Sequence, residues 1–190
     1  MKFTKLLLAF LLILAPSIAG AQVINGFGGF RFGTDQKEIL ATINDSAIVK
    51  QKGDVDDLDV FVENLKLQGE VYDMCMLSFY EGKLMGGTLA QLFHTQDTLL
   101  NKLEYVKNAV AVQPEDYVTD DPTILRQYFF RDVDDNQLLA QALHISGKYV
   151  LRLRYFFAEL YAKQKKAYDA RRPAVVGGVE ADVEPRGKDE

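Results

Sequence analysis

Tryptophan is absent from this 190-residue chain, cysteine occurs once and histidine twice. The single cysteine, Cys75, excludes an intramolecular disulfide, so stability must come from packing. Two histidines, His94 and His144, leave little from which to assemble a zinc site or a general base. Without tryptophan, the largest flat ring for a sugar platform is missing, which disfavours carbohydrate binding. Nothing in the chain approaches the roughly 20 apolar residues of a membrane-crossing helix. Its unbroken apolar run, Leu6 to Ala15, is half that length. A basic surplus is also missing, because Lys and Arg total 22 against 27 Asp and Glu.

That short apolar run follows Lys2 and Lys5 and precedes Pro16 to Ala21, where Ala19 and Ala21 form an A-x-A arrangement. The pattern predicts a cleaved export signal over residues 1–21 and a mature chain from Gln22. No cysteine stands at the cleavage point to carry a lipid, so the expected product is periplasmic or secreted. Losing two lysines with the signal leaves 20 basic against 27 acidic residues, which argues against a nucleic-acid partner. The one basic cluster, Lys163, Lys165, Lys166, Arg171 and Arg172, adjoins PAVVGGVEADVEPRGKDE, which has neither helical nor strand period. Residues 173–190 therefore read as a disordered tail, and residues 22–172 as a single domain large enough for its own core.

Within that domain, Val23 to Phe32 reads as a glycine-rich strand, followed by Thr34 and Asp35 as caps for a helix with Ile39, Leu40 and Ile43 on one face. A second helix is predicted over about Asp97 to Val110, with Thr95 or Thr98 near its start and Leu99, Leu100, Leu103 and Val106 at helical spacing. Elsewhere the period is two. Phe61, Leu65, Leu67, Val71, Cys75, Leu77 and Phe79 share one parity, and Glu81-Gly82 turns the chain into Leu84 to Phe93. Leu139, Leu143 and Ile145 precede Ser146-Gly147 and then Tyr149, Leu151, Leu153, Tyr155 and Phe157. The expected fold class is α+β: an antiparallel sheet of hairpins with helices on one face, and a helical turn over residues 157–166.

Asp54-Val55-Asp56-Asp57 recurs as Asp132-Val133-Asp134-Asp135, a shift of 78 residues that also carries Leu65 onto Leu143 and Gly69 onto Gly147. It suggests two tandem units, over about 22–93 and 94–170, each a helix followed by a meander; chance similarity of two acidic turns is the plainer explanation. The segment Gly29-Phe30-Arg31-Phe32-Gly33-Thr34-Asp35-Gln36-Lys37-Glu38-Ile39 resembles the strand, glycine and helix start of small exported bacterial domains. These are the SmpA/OmlA-type outer-membrane assembly lipoproteins and the related β-lactamase-inhibitor-like fold. The resemblance implies tandem helix and sheet units whose sheet face binds other proteins, and it transfers no catalytic residue. The chain departs from those lipoproteins in lacking the lipid-bearing cysteine.

Chemistry-bearing constellations are few. Gly28 to Gly33 has P-loop spacing, but Thr34-Asp35 stands where Lys-Ser or Lys-Thr is required, so a nucleotide site is not expected. Asp54, Asp56, Asp57 and Asp59, and likewise Asp132, Asp134, Asp135 and Asn136, are oxygen ligands of the kind calcium prefers. Gln137 replaces the loop glycine and Leu143 the bidentate glutamate of an EF-hand, so solvated acidic turns are the expectation, with no metal and no cofactor. Cys75, between Met74 and Met76, reads as a small core side chain rather than a nucleophile, and no catalytic residue is assigned.

The more telling feature is the solvent parity of the hairpins. It carries Tyr72, Met74, Met76 and Tyr80 in the first and Arg152 and Arg154 in the second, residue types that favour contact surfaces. These six are the candidate protein-binding residues; the alternative is that the N-terminal strand or the Lys-rich C-terminal segment covers Tyr72, Met74 and Met76. The expected function is an exported, non-enzymatic protein that binds another envelope or secreted protein through a sheet face. The alternative is a carrier that holds a small apolar ligand or lipid between helices and sheet.

Overall fold

A computed structural model describes residues 24–43, 48–53, 57–115 and 117–171. The predicted export signal, the predicted tail from Pro173, and Asp54 and Asp56 lie outside the described residues. The glycine-rich start does not form one strand. It folds into a two-stranded hairpin, β1 (Gly26–Phe27) and β2 (Phe30–Arg31), because Gly28 and Gly29 both take positive φ at its turn. Then follow α1 (Gln36–Thr42), β3 (Ile48–Gly53), β4 (Asp57–Leu67), β5 (Glu70–Tyr80) and β6 (Lys83–Phe93). After α2 (Gln96–Ala109) come β7 (Pro114–Glu115), β8 (Ile124–Arg131), β9 (Gln137–Ile145), β10 (Lys148–Phe156) and α3 (Ala158–Arg171).

The fold class is α+β. Eight strands form one antiparallel sheet in the order β3-β4-β5-β6-β10-β9-β8-β7. Three of its hairpins turn on a residue and a glycine that both have positive φ: Gln68-Gly69, Glu81-Gly82 and Ser146-Gly147. That geometry matches the twist of the flanking strands and keeps the connections to two residues. Helix α2 begins as predicted, with the Thr95 side chain accepting from the Thr98 N–H at 3.3 Å.

Each half of the chain is a helix followed by four strands, and the halves meet where β6 pairs with β10. The 78-residue shift is out of step with this order. It lays β4 and β5 on β9 and β10, the second and third strands of one half on the third and fourth of the other. The element order therefore gives that register no support.

Helices α1 and α2 and the β1–β2 hairpin cover one face. Ile39, Leu99, Leu103 and Phe27 join Val60, Leu77, Leu89, Leu138 and Leu151 in the main core. Gly87 admits the hairpin: a Cβ there would lie 2.6 Å from Phe27 Cζ and 2.5 Å from the Met76 carbonyl oxygen. Phe27 can thus stack on Tyr155 with ring centroids 4.8 Å apart. Contrary to expectation, α3 crosses to the other face, where Leu160 packs on Tyr80 and Met85 in a separate small cluster.

The side-chain alternation breaks in two places, and this corrects several expected orientations. In β4, Leu58, Val60 and Val62 are buried, and then Leu65 and Leu67; the switch falls at Asn64, whose φ is 55°. Asn tolerates this left-handed conformation better than most side chains. Phe61 is consequently 38% exposed and Val71 48%, whereas Tyr72, across from Leu65, turns to the core. Between β5 and β6 the register shifts at Ser78/Phe79, which puts Leu84 in the main core and Met85 under α3.

In β9 the buried set facing the helices is Leu138, Ala140 and Ala142; Leu143 is buried as expected, at 1% exposure, but on the opposite face. Helix α2 lies over β9 and β10, and two alanines let it approach closely. The larger leucines and Ile145 are left on the opposite face.

Candidate functional site

Strand registers define the face turned away from α1 and α2. Across one row Glu63, Met74, Ala90, Arg152, Gln141 and Gln127 are successive neighbours. The next row runs Phe61, Met76, Thr88, Arg154, Leu139 and Phe129. On the other side Leu92, Val150 and Leu143 stand together, with Ile145 beside Lys148. These rows enclose a shallow depression of about 770 Å³ lined by Phe61, Met74, Met76, Leu92, Ile145 and Val150. Its apolar side chains are open to solvent: Met74 is 57% exposed, Leu92 42% and Ile145 40%.

Of the six predicted contact residues, the structure brings Met74, Met76 and Arg152 to this depression, and Arg154 to the same face one row away. Tyr72 does not belong to it. Burial on the helix face, with Glu70 as a nearby negative charge, raises its phenol pKa. Tyr80 keeps the predicted parity but is covered by α3 and is only 7% exposed, so it is not part of the open face. Phe61 and Ile145, grouped by parity with residues of the expected core, stand on this open face instead, with Leu92 and Val150. Their common face becomes legible only when Ala140 and Ala142, not the larger β9 residues, are placed inward.

Arg152 is held by a polar chain that crosses three strands. Arg152 donates from Nε and Nη2 to Gln141 Oε1 at 3.0 and 2.7 Å. Gln141, almost completely buried, donates from Nε2 to Gln127 Oε1 at 2.8 Å, and Gln127 donates to the Tyr117 carbonyl at 2.9 Å. The guanidinium is thereby fixed in direction. Burial, and then the neighbouring Arg154 charge, lower the Arg152 pKa from its ordinary value. Arg154 lies over the Phe156 ring at 5.5 Å and Arg131 over Phe129 at 5.4 Å, flanking a second depression of about 470 Å³.

The remaining constellations have structural partners. Cys75 sits in the row Val62, Cys75, Leu89, Leu153 and Ala140, and burial pushes its thiol up to about 12. A protonated thiol between apolar side chains is a packing residue. His144 is exposed and stacks on Tyr149 at 4.8 Å.

In the second acidic turn Asp134 and Asp135 are exposed as expected, but Asp132 and Asn136 are buried. Asp132 is 7% exposed, and its carboxylate accepts from the backbone N–H groups of Ile24 at 2.6 Å, Asp134 at 2.9 Å and Asn136 at 2.8 Å. Its oxygens are committed to the fold, and among the described residues no group of three His, Cys, Asp or Glu side chains is placed to hold a metal. In the first cluster, Asp59 accepts from Ser78 Oγ at 2.7 Å and Asp57 from Gln164 at 2.8 Å.

Between the hairpin, α2 and the sheet lies a cleft of about 490 Å³. Its floor leucines, Leu89, Leu151 and Leu153, are already at most 3% exposed, so an apolar ligand would remove little further surface from water. Among the described residues, no helix is long and apolar enough to cross a membrane. Compared with known proteins, the chain matches no family model, no curated protein and no solved structure.

Proposed function

We propose that this is an exported, non-enzymatic binding protein that receives another envelope or secreted protein on the open face of its sheet. The observation that carries the reading is the exposed apolar surface of Met74, Leu92, Ile145 and Phe61, beside an arginine held in fixed direction by Gln141. Unbranched methionines repack against a partner, and arginine supplies directional contacts at the margin. An apolar surface of this kind, left uncovered by the chain's own helices, is a mark of a contact site. The same use of a sheet face is what the resemblance to small exported helix and sheet domains implies, and the export pattern of residues 1–21 supports an encounter outside the cytoplasm.

The test is the double variant Met74→Lys/Met76→Lys. Both side chains can extend into solvent, so the urea midpoint should correspond to a change of at most about 1 kcal/mol. The partner crosslinked in the native envelope should be lost. A variant that unfolds, or one that keeps the same crosslinked partner, would refute the contact face.

A further inference from the structure

The open face carries two guanidinium groups, Arg152 and Arg154, in a chain whose formal net charge is −5; the charge of Asp121 reaches Arg152, and Glu115, which pairs with Arg131 at 3.8 Å, lines the depression beside Arg154. Arg152 and Arg154 point the same way from one strand, two residues apart, about 7 Å along it. Among the described residues, no carboxylate lies within ion-pair distance of either. Acids on the far margin are engaged locally: Asp59 accepts from Ser78, and Asp73 accepts from the Leu92 N–H at 2.7 Å. Glu63 stands three strands away in the Arg152 row, about 14 Å, which exceeds the screening length at physiological salt. In between are Met74, Ala90 and Thr88.

The charge is also well directed. Gln141 takes Nε and one Nη2 hydrogen of Arg152 and is itself braced by Gln127 and the Tyr117 carbonyl, so Nη1 remains available without further ordering. A donor oriented before binding loses less entropy when it pairs.

Resting on the contact-face reading, we propose that the partner presents an acidic, apolar segment. Its aliphatic side chains sit between Met74, Leu92 and Val150, and its carboxylates pair with Arg152 and Arg154. A carboxylate is the group a guanidinium binds with two parallel hydrogen bonds, and the face offers two such groups beside an apolar floor. A basic segment would meet both arginines with like charge.

The experiment uses the full mature chain and three labelled probe peptides, alternating leucine–glutamate, leucine–lysine and serine–glutamate, with binding read by fluorescence anisotropy. Leucine–glutamate should bind about tenfold or more tighter than either other peptide, and its affinity should fall severalfold between about 50 and 300 mM salt. Arg152→Glu/Arg154→Glu should reverse the preference towards leucine–lysine. Arg154→Gln alone, which leaves the Gln141 chain intact, should reduce the preference severalfold.

Equal or tighter binding of leucine–lysine, or an unchanged preference in Arg154→Gln, overturns the acidic partner. If both leucine peptides then still lose binding in Met74→Lys/Met76→Lys, the contact face stands without it; if neither responds to that variant, both readings fall. Two other occupants would also overturn the proposal. One is a dimer dissolved by Met74→Lys/Met76→Lys, which makes a second copy the occupant. The other is leucine–glutamate binding that tightens about tenfold in Glu180→Gln/Asp182→Asn/Glu184→Gln, which makes residues 173–190 the occupant.

Discussion

Replacing Asp132 by alanine should unsettle three parts of the molecule at once. The carboxylate of this one buried residue accepts from Ile24 ahead of the first hairpin, from Asp134 and Asn136 in the β8–β9 turn, and from the Asn136 side chain at 3.1 Å. Asn136 Oδ1 in turn accepts from the Ala158 N–H at 3.1 Å, which ties the start of α3 to the same turn. Asp132→Ala leaves those donors unpaired, and those on Ile24 and Asn136 belong to buried residues. Each buried donor without a partner costs about 1–3 kcal/mol, so the expected loss is about 3–5 kcal/mol. That is a large part of the roughly 5–15 kcal/mol that holds a domain folded. Asp132→Asn keeps one acceptor oxygen but presents an NH2 to the remaining donors, and about 1–3 kcal/mol should be lost. Urea unfolding measures both values. Amide exchange adds a local readout at Phe32, whose N–H donates to the Asn25 carbonyl at 3.0 Å and should lose protection first. A loss below about 1 kcal/mol in Asp132→Ala, with Phe32 still protected, would refute the reasoning that this carboxylate anchors the hairpin.

Two further perturbations test the packing and the charges. Gly87→Ala should destabilise by about 1–3 kcal/mol, because its Cβ collides with the Phe27 ring and with backbone oxygen; an unchanged urea midpoint would show that the hairpin is not seated on β6. The Glu70 carboxyl, hydrogen-bonded to Lys102 at 2.9 Å, is held below its ordinary value by that bond and by the lysine charge. A folded pKa below the unfolded one adds stability above the ordinary carboxylate range, and that stability disappears as pH falls through the folded value. Lys102→Met should return the Glu70 carbon chemical-shift titration to the ordinary range, and an unmoved titration would refute the pairing.

The hairpins and α2 are legible in the sequence because their signals are local. A residue followed by glycine at each turn, and Thr95 ahead of leucines at helical spacing, suffice without knowledge of the rest of the chain. Which side of a strand faces the helices is not local. In β9 the hydrophobic ranking favours Leu139, Leu143 and Ile145, yet the close approach of α2 selects Ala140 and Ala142. In β4 and β5 a single left-handed residue, Asn64, exchanges the faces of everything beyond it and separates Tyr72 from Met74. Half the contact face was therefore recognisable from Met74, Met76, Arg152 and Arg154, and the other half depends on packing that alternation does not encode. Asp132 escaped for a similar reason: its principal partner, Ile24, is 108 residues away.

The two faces of the sheet also differ in what their apolar side chains contribute. Leu77, Leu89 and Leu151, facing the helices, are almost wholly removed from water, and each adds about 1.5–3 kcal/mol to folding. Met74 and Leu92, on the other face, leave much of that contribution unrealised, since α3 covers only Tyr80 and Met85 at one end. Lysine at position 74 would serve the isolated fold about as well as methionine, and a carboxylate in direct contact with Arg152 and Arg154 would serve it better than two adjacent cations without an ion pair among the described residues. The surface is thus poorly fitted to an isolated molecule in water in two independent respects, apolar exposure and two guanidiniums with no direct ion pair among the described residues. A partner that brings aliphatic groups and carboxylates together relieves both with one interface, whereas a purely apolar partner would bury the arginines uncompensated and a purely acidic one would leave Met74 and Leu92 in water.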